Sequence, residues 1–160
     1  MRPTPARLHP MATAAAAFGL LASSPALAQT TPAALPPALA AAAQEPGARV
    51  TASGLVFRAI KEGNGAAPAA TDTVRVHYRG TFPDGKEFDS SYSRGQPASF
   101  PLDRVIRCWT EALQLMKVGG SARLTCPAAI AYGERGAGNG LIPPNAVLRF
   151  EVELLGVTPR

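Results

Sequence analysis

The sequence predicts an α+β protein in which a twisted, half-open antiparallel β-sheet wraps around one short α-helix. Between residues 105 and 116, apolar side chains recur at helical spacing and place Val105, Trp109, Ala112 and Met116 on one face. Most other segments after residue 50 alternate between apolar and polar residues or contain glycine and proline, as strands and turns do. A single amphipathic helix among strands must bury its apolar face on the sheet.

The helix has a polar side opposite the apolar one, formed by Arg107, Thr110, Glu111, Gln114 and Lys117. We expect Asp103 to cap its N-terminus, and the pair Gly119-Gly120 to end it. Trp109, the only tryptophan of the chain, lies on the apolar face.

Five strands are expected, over residues 55–60, 73–80, 87–91, 121–126 and 146–157. Alternation is strict in the second and last of them. It turns Val74, Val76 and Tyr78 inward in the second strand, and Leu148, Phe150, Val152 and Leu154 inward in the last. The sequence Pro83-Asp84-Gly85-Lys86 predicts a turn before the third strand, and residues 100–102 lead into the helix.

Residues 1–28 have the pattern of a secretory signal peptide. Arg2 and Arg7 precede an apolar run over residues 12–21, and Ala26-Leu27-Ala28 matches a cleavage signal. An uncleaved anchor is the alternative, but the run is short for a membrane span. We therefore expect a protein exported to the periplasm, cleaved after Ala28 and without a stable membrane anchor.

Residues 29–48 are rich in alanine and proline and predict a flexible linker ahead of a domain over residues 49–160. A helical turn over residues 39–44 is conceivable, although so short a helix is marginal alone. The domain, of about 110 residues, is long enough to bury a small core.

The charge pattern argues against nucleic-acid binding. The formal charge is +5, and removal of Arg2 and Arg7 with the signal peptide leaves +3, spread without a basic run. The sequence has no clustered histidines or cysteines and no phosphate-binding glycine loop, so no metal or cofactor is expected. His77 lies on the polar face of a strand, where a solvated side chain is a simpler interpretation than catalysis.

The two cysteines, Cys108 and Cys126, predict a disulfide, because an exported chain with an even cysteine count usually pairs them. Cys108 lies at the edge of the helix's buried face, and packing on the 121–126 strand would bring the two Cα atoms within bonding range. Two buried free thiols, or a reactive Cys108 near the helix N-terminus, are the alternatives.

Aromatic residues gather near strand ends and loops: Tyr78, Phe88, Phe100, Trp109, Tyr132 and Phe150. Their simplest interpretation is a hydrophobic core. Tyr132, however, lies in a glycine-rich loop that continues to Leu141-Ile142-Pro143-Pro144, so these side chains are also well placed to line the mouth of a pocket.

Several motifs, in order, resemble those of FKBP-type peptidyl-prolyl cis-trans isomerases, over about residues 50–157. They are Val76-His77-Tyr78-Arg79-Gly80, Phe82-x-Asp84-Gly85-Lys86-x-Phe88-Asp89-Ser90-Ser91, Val105-Ile106-x-x-Trp109, Ala131-Tyr132-Gly133, Ile142-Pro143-Pro144-Asn145 and Phe150-Glu151-Val152-Glu153-Leu154-Leu155. The family fold, a twisted antiparallel sheet around one short helix, agrees with the fold class predicted from the residue pattern.

The resemblance implies a proline pocket with catalytic residues Tyr78, Asp89, Trp109, Tyr132 and Phe150, and substrate-binding residues Phe88, Phe100, Val105, Ile106 and Ile142. Trp109 would form its floor. Asp89, the one charged candidate, would either act directly in catalysis or orient neighbouring hydroxyl and amide groups. The Tyr132 hydroxyl and the Ile106 N–H would donate hydrogen bonds to substrate or inhibitor carbonyls. Ala98 departs from the family, because many relatives carry a pocket aromatic at that position.

By the same resemblance, the protein would accelerate X-Pro isomerisation in proline-containing unfolded or exported polypeptides, without a cofactor, and could bind the family's macrolide inhibitors. The short Ala/Pro-rich segment ahead of the domain favours a monomer. Two other functions are weighed against this one: a periplasmic holdase whose apolar mouth binds unfolded chains, and a non-catalytic binding module.

Overall fold

The computed structural model describes residues 34–160. Its helices are α1 (Pro37–Ala43) and α2 (Arg107–Gln114), with 3-10 turns at Leu102–Arg104 and Ala128–Ile130. Its strands are β1 (Ala48–Val50), β2 (Val56–Lys61), β3 (Thr73–Thr81), β4 (Glu87–Ser90), β5 (Ala98–Pro101), β6 (Ser121–Cys126) and β7 (Leu148–Thr158). Within residues 34–160, no helix has the length and apolar character needed to cross a bilayer.

All strand pairs are antiparallel, in the order β1-β2-β6-β7-β3-β4. β5 and β4 share one edge of β3: β5 pairs with the N-terminal half, where Val74 lies opposite Phe100, and β4 pairs with the C-terminal end, where Gly80 lies opposite Asp89. The other edge of β3 pairs along its whole length with β7. The sheet therefore has the half-open antiparallel form that the alternating pattern predicts.

One face of the sheet holds the hydrophobic core. The inward residues of β3 and β7 are those predicted from strict alternation, and β6 adds Ala122, Leu124 and Cys126. Helix α2 lies across this face and buries Cys108, Trp109, Ala112 and Leu113. The predicted fold class is confirmed, because the sheet does wrap one short helix.

The helix is shorter than its sequence pattern. It begins at Arg107, because Val105 is extended and Ile106 occupies the cap position without a side-chain cap. The prediction that Asp103 caps the helix is wrong: Asp103 belongs to the preceding 3-10 turn, and its Oδ2 accepts a hydrogen bond from Arg160 Nη1 at 2.8 Å. Instead, Thr110 Oγ1 donates to the carbonyl of Leu102 at 2.6 Å and ties the helix to that turn.

The structure contains two strands that the residue pattern does not predict, and a packed helix where the pattern suggests at most a marginal helical turn. β1 and β5 are only three and four residues long, too short for alternation to be visible. Residues 29–48 were expected to be a flexible linker, yet α1 forms within this stretch and buries Leu39 and Ala42 against Val56 on the outer face of the sheet. Tertiary contact supplies the stability that a seven-residue helix lacks alone.

The predicted disulfide between Cys108 and Cys126 is confirmed. The two Cα atoms are 5.9 Å apart, within the normal range for a bridge. Both residues are fully buried, so the bond joins the first turn of α2 to the end of β6 inside the core. Disulfides of this kind persist in oxidising compartments.

Candidate functional site

A cavity of about 420 Å³ opens between the sheet and the start of α2. Ten residues line it: Tyr78, Phe88, Asp89, Phe100, Arg104, Val105, Ile106, Trp109, Tyr132 and Phe150. Nine of these are among the ten pocket residues expected from the family resemblance. The tenth expected residue, Ile142, is buried in the hydrophobic core and forms an isolated β-bridge with Ala137.

Four aromatic rings from four different elements enclose this space. Trp109 of α2 meets Tyr78 of β3, Phe100 of β5 and Phe150 of β7, with ring centroids 5.1, 5.7 and 5.4 Å apart. All three contacts are close to perpendicular, the edge-to-face arrangement that aromatic quadrupoles favour. The tryptophan is therefore held in one orientation from three sides, and its indole ring lines the cavity as expected of a floor.

Gly80 explains how Phe88 and Phe150 approach each other on the same wall. The two rings are 5.6 Å apart, and both lie against the bare Cα of Gly80. A Cβ at this position would lie 2.6 Å from Phe88 Cζ and 3.1 Å from Phe150 Cε1. A side chain on Gly80 would thus displace two rings of the cavity.

The polar part of the wall is a three-residue network of Tyr78, Asp89 and Arg94. Tyr78 Oη donates to Asp89 Oδ2 at 2.5 Å, and Arg94 donates from Nη1 to Asp89 Oδ1 at 2.6 Å and from Nη2 to Tyr78 Oη at 2.8 Å. The Arg94 guanidinium also lies over the Tyr78 ring, 5.6 Å from its centroid. The network fixes the phenol at the edge of the cavity.

These contacts set the protonation of the network. Burial raises the pKa of Tyr78, and the hydrogen bond to Asp89 raises it further, so Tyr78 stays a neutral donor. Burial also acts to raise the pKa of Asp89, but the hydrogen bonds from Tyr78 and Arg94, with the charge of Arg94, outweigh it and lower that pKa below the usual range. Asp89 is therefore an ionised acceptor whose lone pairs are already engaged.

Two donors at the cavity have no hydrogen-bond partner among residues 34–160. They are the backbone N–H of Ile106, at the cap of α2, and the hydroxyl of Tyr132, a residue that is 39% exposed. Burial raises the pKa of the Tyr132 phenol, and the nearby negative charge of Asp89 raises it further, which keeps it protonated. Because both groups line the cavity, they are available to carbonyl oxygens of a bound chain.

The floor carries a third donor of this kind. The indole Nε1 of Trp109 is buried and has no partner in the described part of the chain. A buried donor without a hydrogen-bond partner costs free energy of folding. Such donors are therefore rare in well-packed proteins.

The structure adds two residues that the sequence did not single out. Arg104 lines the cavity from the last position of the 3-10 turn, directly before Val105 and Ile106. Arg94 comes from the loop between β4 and β5 and reaches the site through Asp89. Arg104 could have been predicted as a cavity residue from its position directly before the Val105-Ile106 motif. No local sequence feature indicated that Arg94 would contact the site.

Two residues discussed from the sequence lie outside the cavity lining. Ala98 is half-buried on β5, where it pairs with Val76. His77 stacks on Tyr92 with ring centroids 4.6 Å apart, and its Nδ1 is 2.9 Å from Ser91 Oγ. His77 is therefore half-buried and hydrogen-bonded rather than freely solvated, but it is not in the cavity.

The arrangement supports binding rather than covalent chemistry. The lining contains aromatic rings, three donors without a partner among residues 34–160, one hydrogen-bonded carboxylate and one arginine, and it includes no cysteine, serine or histidine. Within residues 34–160, no cluster of three or more potential metal-ligating side chains is found. Such a cavity suits an uncharged, compact group flanked by carbonyl oxygens.

Comparison with known proteins identifies the class to which this fold and cavity belong. The family model described as "FKBP-type peptidyl-prolyl cis-trans isomerase" matches residues 65–155. These residues include β3 to β6 and most of β7, and with them every residue of the cavity lining. The chain belongs to the FKBP-type peptidyl-prolyl cis-trans isomerase family.

Individual relatives agree. The chain is 55% identical over 119 residues to the FKBP-type peptidyl-prolyl cis-trans isomerase FkpA of Aeromonas hydrophila, covering 74% of this chain and 44% of that protein. It is 56% identical over 115 residues to the FKBP-type 22 kDa peptidyl-prolyl cis-trans isomerase of Escherichia coli K12, covering 72% of this chain and 55% of that protein. The chain thus spans about half the length of these curated relatives.

Solved structures share the fold. The crystal structure of FkpA from Escherichia coli matches with a TM-score of 0.73 at 49% identity, covering 76% of this chain and 56% of that one. A peptidyl-prolyl cis-trans isomerase structure from Pseudomonas syringae pv. tomato matches with a TM-score of 0.70 at 43% identity, covering 76% and 88% of the two chains.

Proposed function

We propose that this protein is a peptidyl-prolyl cis-trans isomerase that accelerates X-Pro isomerisation in exported polypeptides. The observation that carries the proposal is the aromatic cavity with Trp109 at its floor and two unpaired donors at its edge. A prolyl ring is compact and apolar, and the carbonyls on either side of it need donors. The cavity offers both.

The catalytic effect follows from the electronic change along the reaction. Rotation about a peptide bond faces a barrier of about 18–20 kcal/mol, because the planar amide is stabilised by resonance. The twisted amide has lost that resonance and is less polar, so an apolar aromatic wall destabilises it less than it destabilises the planar form. Preferential binding of the twisted form by about 4 kcal/mol would give about a thousandfold acceleration.

Named residues would divide this task. Trp109, Phe100 and Phe150 would enclose the prolyl ring, with Phe88, Val105 and Ile142 supporting the wall. The Ile106 N–H and the Tyr132 hydroxyl would each hold a carbonyl, so that rotation occurs about the bond between two fixed ends. No proton transfer or nucleophile is required.

Asp89 would act by electrostatics and positioning. Its carboxylate is held by Tyr78 and Arg94 and keeps the Tyr78 ring against Trp109. An ionised carboxylate at the wall also orients the amide dipole of a bound chain. Asp89 would thus contribute to catalysis through its charge and its hydrogen bonds, and it would not exchange a proton with the substrate.

A direct test measures the exchange of a short proline peptide between its cis and trans forms by NMR, with and without the protein. We expect catalysis at substoichiometric protein and competition by a macrolide inhibitor of the family. A holdase would suppress aggregation of an unfolded protein without accelerating exchange in the peptide, and that result would overturn the proposal.

Tyr132→Phe sharpens the test, because it removes only a hydroxyl. We expect weaker binding of the inhibitor, by about 1 kcal/mol or more, and an unchanged unfolding midpoint. Tyr92→Phe is the matched control, since Tyr92 is exposed and outside the cavity. Equal inhibitor affinity in all three proteins would show that the Tyr132 hydroxyl makes no hydrogen bond to the ligand.

The proposed clients are proline-containing unfolded or exported chains, met in the periplasm. The disulfide between Cys108 and Cys126 supports an oxidising compartment, and the pattern of residues 1–28 supports export, although those residues lie outside the described part of the chain. We expect a monomer, which sedimentation at micromolar concentration would test.

A further inference from the structure

We propose that Arg104 makes the isomerase selective for substrates with an acidic residue next to the proline. This inference deepens the proposed function and rests on it. It concerns the one charged residue of the cavity lining that has no ion-pair partner among residues 34–160.

Arg104 occupies an unusual position on the rim. The 3-10 turn at Leu102–Arg104 places Arg104 in the cavity lining, two residues before the N–H of Ile106, which is unpaired among residues 34–160. The residue is exposed, so its guanidinium is in contact with solvent and with whatever chain enters. A substrate whose carbonyl binds the Ile106 N–H is therefore held two residues from Arg104, within reach of this long, exposed side chain.

The charge of Arg104 is not neutralised by its surroundings. It forms no ion pair with any carboxylate of residues 34–160. The nearest carboxylate in sequence, Asp103, is held by Arg160 at 2.8 Å. Among the described residues, Arg104 therefore has no ion-pair partner, although the neighbouring Asp103 has one.

The remaining charge of the lining is already balanced. Of the ten lining residues, only Asp89 and Arg104 are charged, and Asp89 is paired with Arg94 at 2.6 Å. The charges of Asp89 and Arg94 cancel in sum, so the net charge of the lining together with Arg94 is the positive charge of Arg104. An acidic side chain flanking the proline would be attracted by this charge, and a lysine would be repelled.

The expected selectivity is modest. Exposed ion pairs contribute about 0.2–1 kcal/mol, because water screens them and two long side chains must be ordered. At 1.36 kcal/mol for each tenfold, this corresponds to roughly a 1.5- to 5-fold preference in kcat/KM. The preference should decline with added salt.

The experiment compares peptides that differ only in one residue beside the proline, glutamate or its neutral isostere glutamine, placed before or after it. The kcat/KM ratio of glutamate to glutamine peptides is measured by NMR exchange at low and high salt for the full chain. Variants are Arg104→Gln and Arg104→Glu. The control is Arg107→Gln, which removes the same charge three residues away, on the side of α2 that faces a separate groove.

We expect a ratio above 1 in the natural protein and in Arg107→Gln at one of the two positions. The ratio should fall to about 1 in Arg104→Gln and below 1 in Arg104→Glu. A ratio of 1 in the natural protein at both positions, or a ratio that falls equally in Arg107→Gln, would overturn the inference while leaving the isomerase proposal intact. Absence of catalysis on every peptide would instead defeat the proposed function.

Discussion

The carboxylate of Asp89 is held by donors from two parts of the chain, Tyr78 on β3 and Arg94 in the loop after β4. Although burial acts to raise its pKa, these two contacts lower it below the value in an unfolded chain. A group with a lowered pKa in the folded state stabilises the fold above its unfolded pKa and loses that contribution as pH falls.

We therefore expect the stability difference between the natural protein and Asp89→Asn to be constant from neutral pH to about pH 5. It should shrink as pH falls below about 4, the region where an unfolded aspartate takes up its proton. Urea unfolding at a series of pH values measures this. A difference that is the same at pH 3 and pH 7 would show that the contacts of Asp89 do not depend on its charge.

Gly80 has a steric role at the cavity wall, since the rings of Phe88 and Phe150 occupy the space of its absent side chain. We expect Gly80→Ala to destabilise the protein by about 1–3 kcal/mol and to weaken inhibitor binding, because both rings must shift. Gly156→Ala in β7 is the control: a Cβ there would meet its nearest neighbour at 3.8 Å, an ordinary contact. Equal effects of the two substitutions would contradict the steric explanation.

At the scale of elements, the disulfide joins α2 to β6 directly behind the floor residue Trp109. It closes a separation of 18 residues. The chain-entropy model gives such a loop about 3 kcal/mol of stabilisation.

Reduction of the natural protein should lower its free energy of unfolding by about that amount. The variant with both Cys108→Ala and Cys126→Ala should show no further response to reductant. Denaturant unfolding with and without a phosphine reductant, with thiols counted in the unfolded state, measures this. Two free thiols in unreduced, unfolded protein would show that the bond is absent.

Helix α1 is a second element whose contribution is testable. Leu39 is 2% exposed and packs with Val56 on the outer face of the sheet, whereas Leu35, just before the helix, is 53% exposed. We expect Leu39→Ala to cost about 2 kcal/mol or more and Leu35→Ala less than about 0.5 kcal/mol. Thermal unfolding of both variants compares them; equal midpoints would mean that α1 does not remain on the sheet in solution.

At the scale of the whole molecule, the pattern of residues 1–28 and the buried disulfide both point to export. We expect protein recovered from the periplasm of an expressing bacterium to begin at Gln29 and to contain the oxidised Cys108–Cys126 pair. Intact-mass measurement reports both in one experiment. A mass that includes residues 1–28 would contradict cleavage after Ala28.

The sequence alone determined the fold class and most of the cavity. The buried side of each element can be identified from alternation in β3 and β7 and from helical spacing between Trp109 and Met116. Burial of one side makes apolar residues recur with the period of the strand or helix, so the pattern is visible within each segment. The disulfide was predictable because the chain has only two cysteines and because residues 1–28 have the pattern of a signal peptide, which favours oxidation over two free thiols. Most aromatic residues of the site lie within the family motifs, and Phe100, which lies outside them, was implied by the family resemblance as a whole.

Tertiary structure decided what no local pattern records. The short strands β1 and β5 exist because β2 and β3 offer edges to pair with, and α1 is stable because Leu39 has a surface to cover. Arg94 donates a hydrogen bond to Asp89 from a loop that has no regular sequence pattern. Asp103 pairs with Arg160, which is distant in sequence, instead of capping the helix. Arg104 has no ion-pair partner within residues 34–160, whereas the neighbouring Asp103 has one. Only the tertiary structure decides this, because ion pairs form between charges that lie within a few ångströms in space, whatever their separation in sequence.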